Sequence, residues 1–206
     1  MEIRTKKELK FYILADRMMN RGCFKYSLVR RLKNLLSPDY IMDYLEEMRK
    51  LSYYREMGGA RLLALYHHYK YRKLGLLLGF SIGHNCFGYG LVIPHYGTIV
   101  VGSSNRIGNY AVLHTSTCIT DNSKVIGNGL FLSTGAKMTS TLKLGDFISV
   151  GANSVVNQSF ASNLMIAGAP AKEIKFSLPW WERDGDEYIR RVKKVEELKL
   201  KMHITI

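Results

Sequence analysis

His95 and His114 are the side chains in this sequence best suited to moving a proton. Imidazole titrates near neutral pH and is the usual group for taking a proton from a hydroxyl. His95 lies in Ile93-Pro94-His95-Tyr96-Gly97-Thr98-Ile99, where Pro94 restricts the backbone and Gly97 frees it to turn. His114 directly follows Leu113 and reads equally as a second catalytic group or as a packed or inter-subunit histidine. His84 is a weaker candidate for a ligand or catalytic role. The three stand 11 (95 − 84) and 19 (114 − 95) positions apart, which is not ligand spacing, and no metal is expected. His67-His68, among Tyr66, Tyr69 and Tyr71, reads as helix packing.

Around these histidines an apolar residue returns at every sixth position. The first run is Val101, Ile107, Leu113, Ile119; the second, one residue out of step, is Ile126, Leu132, Met138, Leu144, Val150, Val156. A helix would repeat near three to four and an amphipathic strand at two. A six-residue period marks a parallel β-helix, each hexapeptide forming one flat side of a coil with its apolar residue turned inward. Glycine follows the apolar residue at 102, 108, 127, 145 and 151. These glycines are read as corner residues that adopt unusual backbone angles. The period fails twice, between Ile93 and Ile99 and between Thr120 and Val125. Insertions in repeat proteins leave the coil as loops, often on the binding face, so both breaks are candidate sites. With two residues bulged out between Ile93 and Leu113, those two share a wall. His95 and His114 then project from neighbouring coils on one side.

The fold class is therefore mainly β, with helices before and after the repeat. Three segments are expected: a helical region over 1–78, the β-helix over 79–176, and a tail with a helix over 177–206. Thr5-Lys6-Lys7-Glu8 has the form of a capping box opening a helix that stops near Arg21-Gly22. A short helix carries Leu28, Leu32, Leu35 and Leu36. Ser37-Pro38-Asp39 is read as N-cap, first helical proline and an acid at the next helix's positive end. That helix is expected to break at Gly58-Gly59, and a last one to end near Leu74-Gly75. The charged segment from Asp186 to Lys201 is read as a surface helix or one capping a solenoid end.

Thirty Lys and Arg against 17 Asp and Glu leave a net charge of +13, which suits nucleic acid, anionic lipid or a small polyanionic ligand. No RNA-binding motif accompanies the basic, tyrosine-rich segment from Tyr53 to Lys73, so nucleic acid is not expected. The three cysteines have no disulfide or zinc-ribbon spacing. With no apolar signal core at the start, a cytoplasmic location is expected, a peripheral position at a membrane remaining open.

Three motifs carry a family resemblance: Phe87-Gly88-Tyr89-Gly90-Leu91-Val92-Ile93-Pro94-His95-Tyr96-Gly97-Thr98-Ile99-Val100-Val101-Gly102, Val150-Gly151-Ala152-Asn153-Ser154-Val155-Val156, and Ile166-Ala167-Gly168-Ala169-Pro170-Ala171-Lys172. Over about residues 81 to 175 the chain resembles the hexapeptide-repeat acyltransferases, in their serine acetyltransferase-like branch. The resemblance implies a left-handed parallel β-helix, a homotrimer with active sites between subunits, and acetyl-CoA as cosubstrate. It implies that His95 is the general base, and that Gly135, Ala136, Gly151, Ala152, Ala167, Gly168, Pro170 and Lys172 contact the coenzyme. Serine acetyltransferases carry an aspartate fifteen positions before the histidine and another immediately before it; here these are Phe80 and Pro94. Their longer loop with an Arg-His pair is replaced by Thr120-Asp121-Asn122-Ser123-Lys124. The expected function is thus acetyl-CoA-dependent O-acetylation of a sugar or polysaccharide hydroxyl. L-serine is the alternative acceptor, and a non-enzymatic trimeric scaffold is the reading from another class. His114, Asn85 or a backbone carbonyl are the candidates for orienting His95.

Overall fold

The computed structural model describes residues 2–205, Arg31 by its backbone alone. Four helices come first: α1 (Lys6–Arg21), α2 (Leu28–Leu36), α3 (Tyr40–Glu56) and α4 (Arg61–Leu78). The capping box at Thr5 and Glu8 forms as the sequence predicts, and Gly22 closes α1 in the left-handed region at φ 69°. Two helix ends differ from expectation. The cap of α3 is Asp39, whose carboxylate accepts from Met42 N–H, while Ser37 instead closes α2. The two-residue shift of the cap is set by where α3 must pack, which Ser-Pro-Asp alone does not specify. Helix α4 runs through Gly75 to Leu78. Gly75 is the point where α4 crosses the next strand: a Cβ there would lie 2.8 Å from the Phe80 carbonyl oxygen.

The β-helix has three walls. The first stacks β1 (Phe80–Ile82), β2 (Ile99–Val101), β5 (Thr117–Ile119), β8 (Lys137–Met138) and β11 (Val155–Val156). The second stacks β3 (Arg106–Ile107), β6 (Val125–Ile126) and β9 (Lys143–Leu144). The third stacks β4 (Val112–Leu113), β7 (Phe131–Leu132), β10 (Ser149–Val150) and β12 (Leu164–Gly168), with β13 (Ala171–Phe176) antiparallel at its edge. All pairings within the coil are parallel, and Val92 bridges to Val112 to bring Ile93 over Leu113 as the register predicts. Ile93, Leu113, Leu132, Val150 and Ile166 form one buried column of the core.

The glycines after the inward residues have a different reason from the expected one. None of 102, 108, 127, 145 and 151 has a positive φ; the left-handed corner positions are instead residues such as Tyr110, Ser116, Phe147 and Asn153. What these glycines need is room. A Cβ on Gly108 would lie 2.7 Å from the backbone N of Asn128, and one on Gly151 would lie 2.8 Å from the Ala167 methyl. The residue after the glycine ties coils together: Asn109, Asn128 and Asp146 each accept from a backbone N–H of the preceding coil, at 3.1, 2.9 and 2.6 Å.

Helix α3 lies across the open first coil, where Tyr44, Leu45 and Met48 join the same core as Phe80 and Ile82. The last coil is edged by β13. The tail then returns as α5 (Trp180–Arg183) and α6 (Asp186–Lys201). Of the two readings for α6, the surface helix is the one seen: it packs on α1 and on the corner carrying Tyr89 and Tyr110, whose hydroxyls donate to Glu196. Trp180, fully buried, donates its indole N–H to the Tyr110 carbonyl at 2.8 Å.

One ion pair fastens helices to coil. Arg49 on α3 and Asp16 on α1 are both about 1% exposed and meet through two N–H···O contacts of 2.8 and 3.2 Å. Arg49 also donates to the carbonyls of Phe87 and Gly88, and Asp16 accepts from Leu91 N–H. Removing one partner leaves the other charge buried and unpaired. Arg49→Met is therefore expected to lower stability by about 3–5 kcal/mol in urea denaturation; a loss below about 1 kcal/mol would show that the pair is not the fastener.

Candidate active site

The corner from the third wall to the first carries the predicted histidines. Directly after the inward column come Pro94, His114, Ser133, Gly151 and Ala167, one per coil. Backbone bonds hold this second column in register: His114 N to Leu132 O at 3.0 Å, Ser133 N to Val150 O at 3.2 Å, and Gly151 N to Ile166 O at 2.8 Å. His95 sits in the two-residue bulge at the top of the corner. It is exposed, as is Tyr96 at 75%. His114 is half-buried, its ring tilted on Phe131 with centroids 5.1 Å apart. Burial holds the His114 imidazole below the usual histidine range; the charge of neighbouring His95 pushes the same way and Asp184 opposes both.

Below them the corner loses its side chains. Gly151, Ala152, Ala167 and Gly168 carry nothing beyond a methyl group, and Ala152 and Gly168 face solvent. Gly135 is the left-handed residue of the coil above, at φ 75°. Ala136 is wholly buried in the core, so it offers the corner only its backbone. Pro170 lies in the turn between β12 and β13. Lys172, exposed, pairs across that hairpin with Ala167. The result is a smooth ledge with an imidazole pair at one end and a cation at the other.

Other candidates lie elsewhere. His84 sits in the turn from the first wall to the second; its carbonyl accepts from Ser52, and its ring lies near Arg55 and His68. It is not brought to His95. Asn85 is in that same turn, which removes it as an orienting partner of His95. The second break, Thr120 to Val125, also lies between the first and second walls, not at the His95 corner. There Lys124 is buried and donates to the Thr120 carbonyl at 2.8 Å, folding the short loop onto itself. Of the two candidate breaks, only the first therefore lies at the His95 corner within the chain. His67 is buried between helices, as read, its Nδ1–H donating to the Glu47 carboxylate at 2.6 Å.

The site also contains groups that the sequence did not mark. Arg183 lies 4.5 Å over the Phe131 ring, donates to Ser149 Oγ and pairs with Asp184 at 2.7 Å. They arrive from the returning tail, and only the outward register of Phe131 on its wall hinted at a cover.

No family model matches the chain. A serine acetyltransferase of Helicobacter pylori is 29% identical over 94 residues, 42% of this chain and 55% of that protein. The crystal structure of a serine acetyltransferase from Brucella abortus superposes with a TM-score of 0.61 at 19% identity, covering 84% of this chain and 69% of that one. A serine acetyltransferase in complex with CoA gives 0.58 at 20% identity, covering 81% and 67%. Over its β-helix this chain is similar to serine acetyltransferases. It spans about half the length of the curated relatives it matches.

Against the serine acetyltransferase pattern, the structure explains one departure. Phe80 is 7% exposed, its ring packed edge-on against Tyr44 at 5.1 Å and turned into the core. No acid at that position supports His95, and its place is used to seat α3 on the first coil. Pro94 fills the position before His95 in the same corner column as His114.

His84 offers a separate check on the helix–coil junction. Burial, and then the charges of Arg55 and His68, push its imidazole down to about 4. The unfolded chain therefore binds a proton near pH 6.5 that the folded chain refuses until about pH 4, so stability falls as pH drops through that window. Urea denaturation is expected to lose at most about 2 kcal/mol from this group between pH 7 and 5, and His84→Gln to remove that share of the loss. An unchanged slope in the variant would refute the assignment.

Proposed function

We propose that the chain is an acetyl-CoA-dependent O-acetyltransferase with its chemistry at the His95 corner. The observation that carries this reading is the juxtaposition of an imidazole pair with a side-chain-free ledge on one edge of the β-helix. The similarity to serine acetyltransferases supports L-serine as the acceptor rather than the sugar hydroxyl expected from the sequence; none of the relatives described above acts on a saccharide by name.

The ledge fits a slender thioester donor. Gly151, Ala152, Ala167 and Gly168 leave room for an extended arm against the backbone, with Gly135 and the Ala136 backbone above them. Pro170 shapes the turn at the far end, and Lys172 supplies a cation for phosphate groups there. Acetyl-CoA, as cosubstrate, brings the activated acetyl group. His95 takes the proton of the acceptor hydroxyl as the new ester bond forms and returns it to the departing thiolate. With Phe80 in the core, His114 on the adjacent coil is assigned as the group that orients His95. Kept neutral by burial, it can share a hydrogen bond without competing charge.

A homotrimer completes this reading. His95 and Tyr96 stand open to solvent in a single chain, whereas acyl transfer without hydrolysis needs water held away. A neighbouring β-helix laid along the corner would close it and supply the far side of the acceptor pocket.

The decisive experiment is CoA release from acetyl-CoA with and without L-serine. Release is expected only with acceptor. His95→Ala should lower kcat about a hundred- to ten-thousandfold while calorimetry still detects acetyl-CoA binding. Full activity in that variant would remove His95 as the base. Absence of acetyl-CoA binding at millimolar ligand would leave the chain a β-helical scaffold.

A further inference from the structure

Helix α2 is mounted inside out. On a globular protein the apolar stripe of an amphipathic helix faces the core and the polar side faces water. Here Leu28, Val29, Leu32, Leu35 and Leu36 are 77, 64, 65, 77 and 93% exposed. Arg30 and Asn34 are turned toward the protein and partly buried, Arg30 lying 4.8 Å over the Tyr26 ring. A second apolar patch lies just beyond α2 in the chain. The helix leads directly into exposed Tyr40, which shares a groove of about 930 Å³ between α3 and α4 with Tyr69, Leu76 and Leu77. Leu76 is 82% and Leu77 61% exposed. Exposed apolar surface of this extent marks an interaction site.

The charge around it selects the partner. Lys25 and Lys33 flank the leucines of α2, and Lys70 and Lys73 line the groove. Of the nearby acids, Asp39 is engaged by Arg21, Glu46 by Arg17 and Lys50, and Glu47 by His67 and Lys70, which leaves exposed Asp43 as the acid lining the groove without an ion pair among the described residues. We propose that α2 and the adjoining end of α4 seat the protein on an anionic lipid surface. Leucines enter the boundary between headgroups and acyl chains while the lysine heads stay level with the lipid phosphates. A second copy of this face would set the same lysines against one another in a chain of net charge +13. At nine residues α2 is an interfacial element, and no described helix is long and apolar enough to cross a bilayer. None of the groups at the His95 corner takes part.

Flotation of the full chain with extruded vesicles tests this. Binding to vesicles containing phosphatidylglycerol is expected to exceed binding to pure phosphatidylcholine by at least about tenfold at low salt, and to weaken as salt rises. Leu32→Ser with Leu35→Ser should weaken it by about tenfold or more, with thermal unfolding unchanged because both side chains are exposed. Lys25→Gln with Lys33→Gln should also weaken it, and chiefly at low salt. No binding to anionic vesicles would overturn the proposal, as would equal binding by the leucine variant. So would a leucine variant that only lowers the mass in light scattering, which would assign the face to a second copy of the chain.

Discussion

Everything at the His95 corner hangs from the buried pair of Asp16 and Arg49. A β-helix has no edge problem along its walls, but its first coil has no coil above it and must find its partners elsewhere. The segment from Phe87 to Ile93 is that first coil's approach to the corner. Its carbonyls at Phe87 and Gly88 are taken by Arg49, its Leu91 N–H by Asp16, and its Leu91 carbonyl and Ile93 N–H by Asn20. Burial pushes the Asp16 carboxyl above its usual range, and the guanidinium beside it opposes that rise. Two charges in an apolar setting gain little net stability over a hydrophobic pair. What they add here is direction: the fork of Arg49 fits one arrangement of strand and helix, and His95 follows two residues after the last fixed N–H.

The same logic explains why the bulge is at a corner. Inside a wall, an extra residue would turn every following side chain to the wrong face. At a corner it can leave the coil and return without disturbing the inward column, and Ile99 and Val101 are both buried again immediately after it. The two extra residues therefore displace His95 outward while leaving His114, one coil on, in regular register. The site is a regular column with one member pushed forward.

Period and stacking were legible in the residues because they depend on local alternation repeated many times. That was enough to put Ile93 over Leu113 and His95 beside His114. The capping box at Thr5 and Glu8 was legible for the same reason, being contained within four residues. What was not legible depends on contacts between distant segments. The glycines of the repeat looked like turn residues, yet their constraint is the next coil's backbone, some twenty residues away. Asp16, Asn20 and Arg49 look like ordinary polar positions on helices α1 and α3. Their roles exist only once those helices meet residues 87–93. Helix α6 could have been a surface helix or an end cap, and the Glu196 bonds to Tyr89 and Tyr110 that send it to α1 span about a hundred residues. The second break in period was visible, but its position on the wrong side of the first wall follows from counting walls, not from the break itself.

The charge surplus acquires a location from the ion pairs. With 30 basic and 17 acidic residues, 13 cations (30 − 17) would remain without a carboxylate even under perfect one-to-one pairing. The structure pairs acids inward. Asp16 is buried outright, and Glu47 is 3% exposed, pulled below the usual carboxylate range despite its burial by His67 and Lys70. Acids consumed in fastening helices contribute little outward field, so the unpaired lysines and arginines set the sign of the surface. A positive surface raises the local concentration of any polyanion, and it does so without distinguishing a coenzyme's phosphates from a lipid headgroup. The distinction is made by what lies beside the cations. At Lys172 it is a ledge of glycine and alanine that admits a narrow chain; at Lys33 it is a row of exposed leucines that admits a hydrocarbon surface.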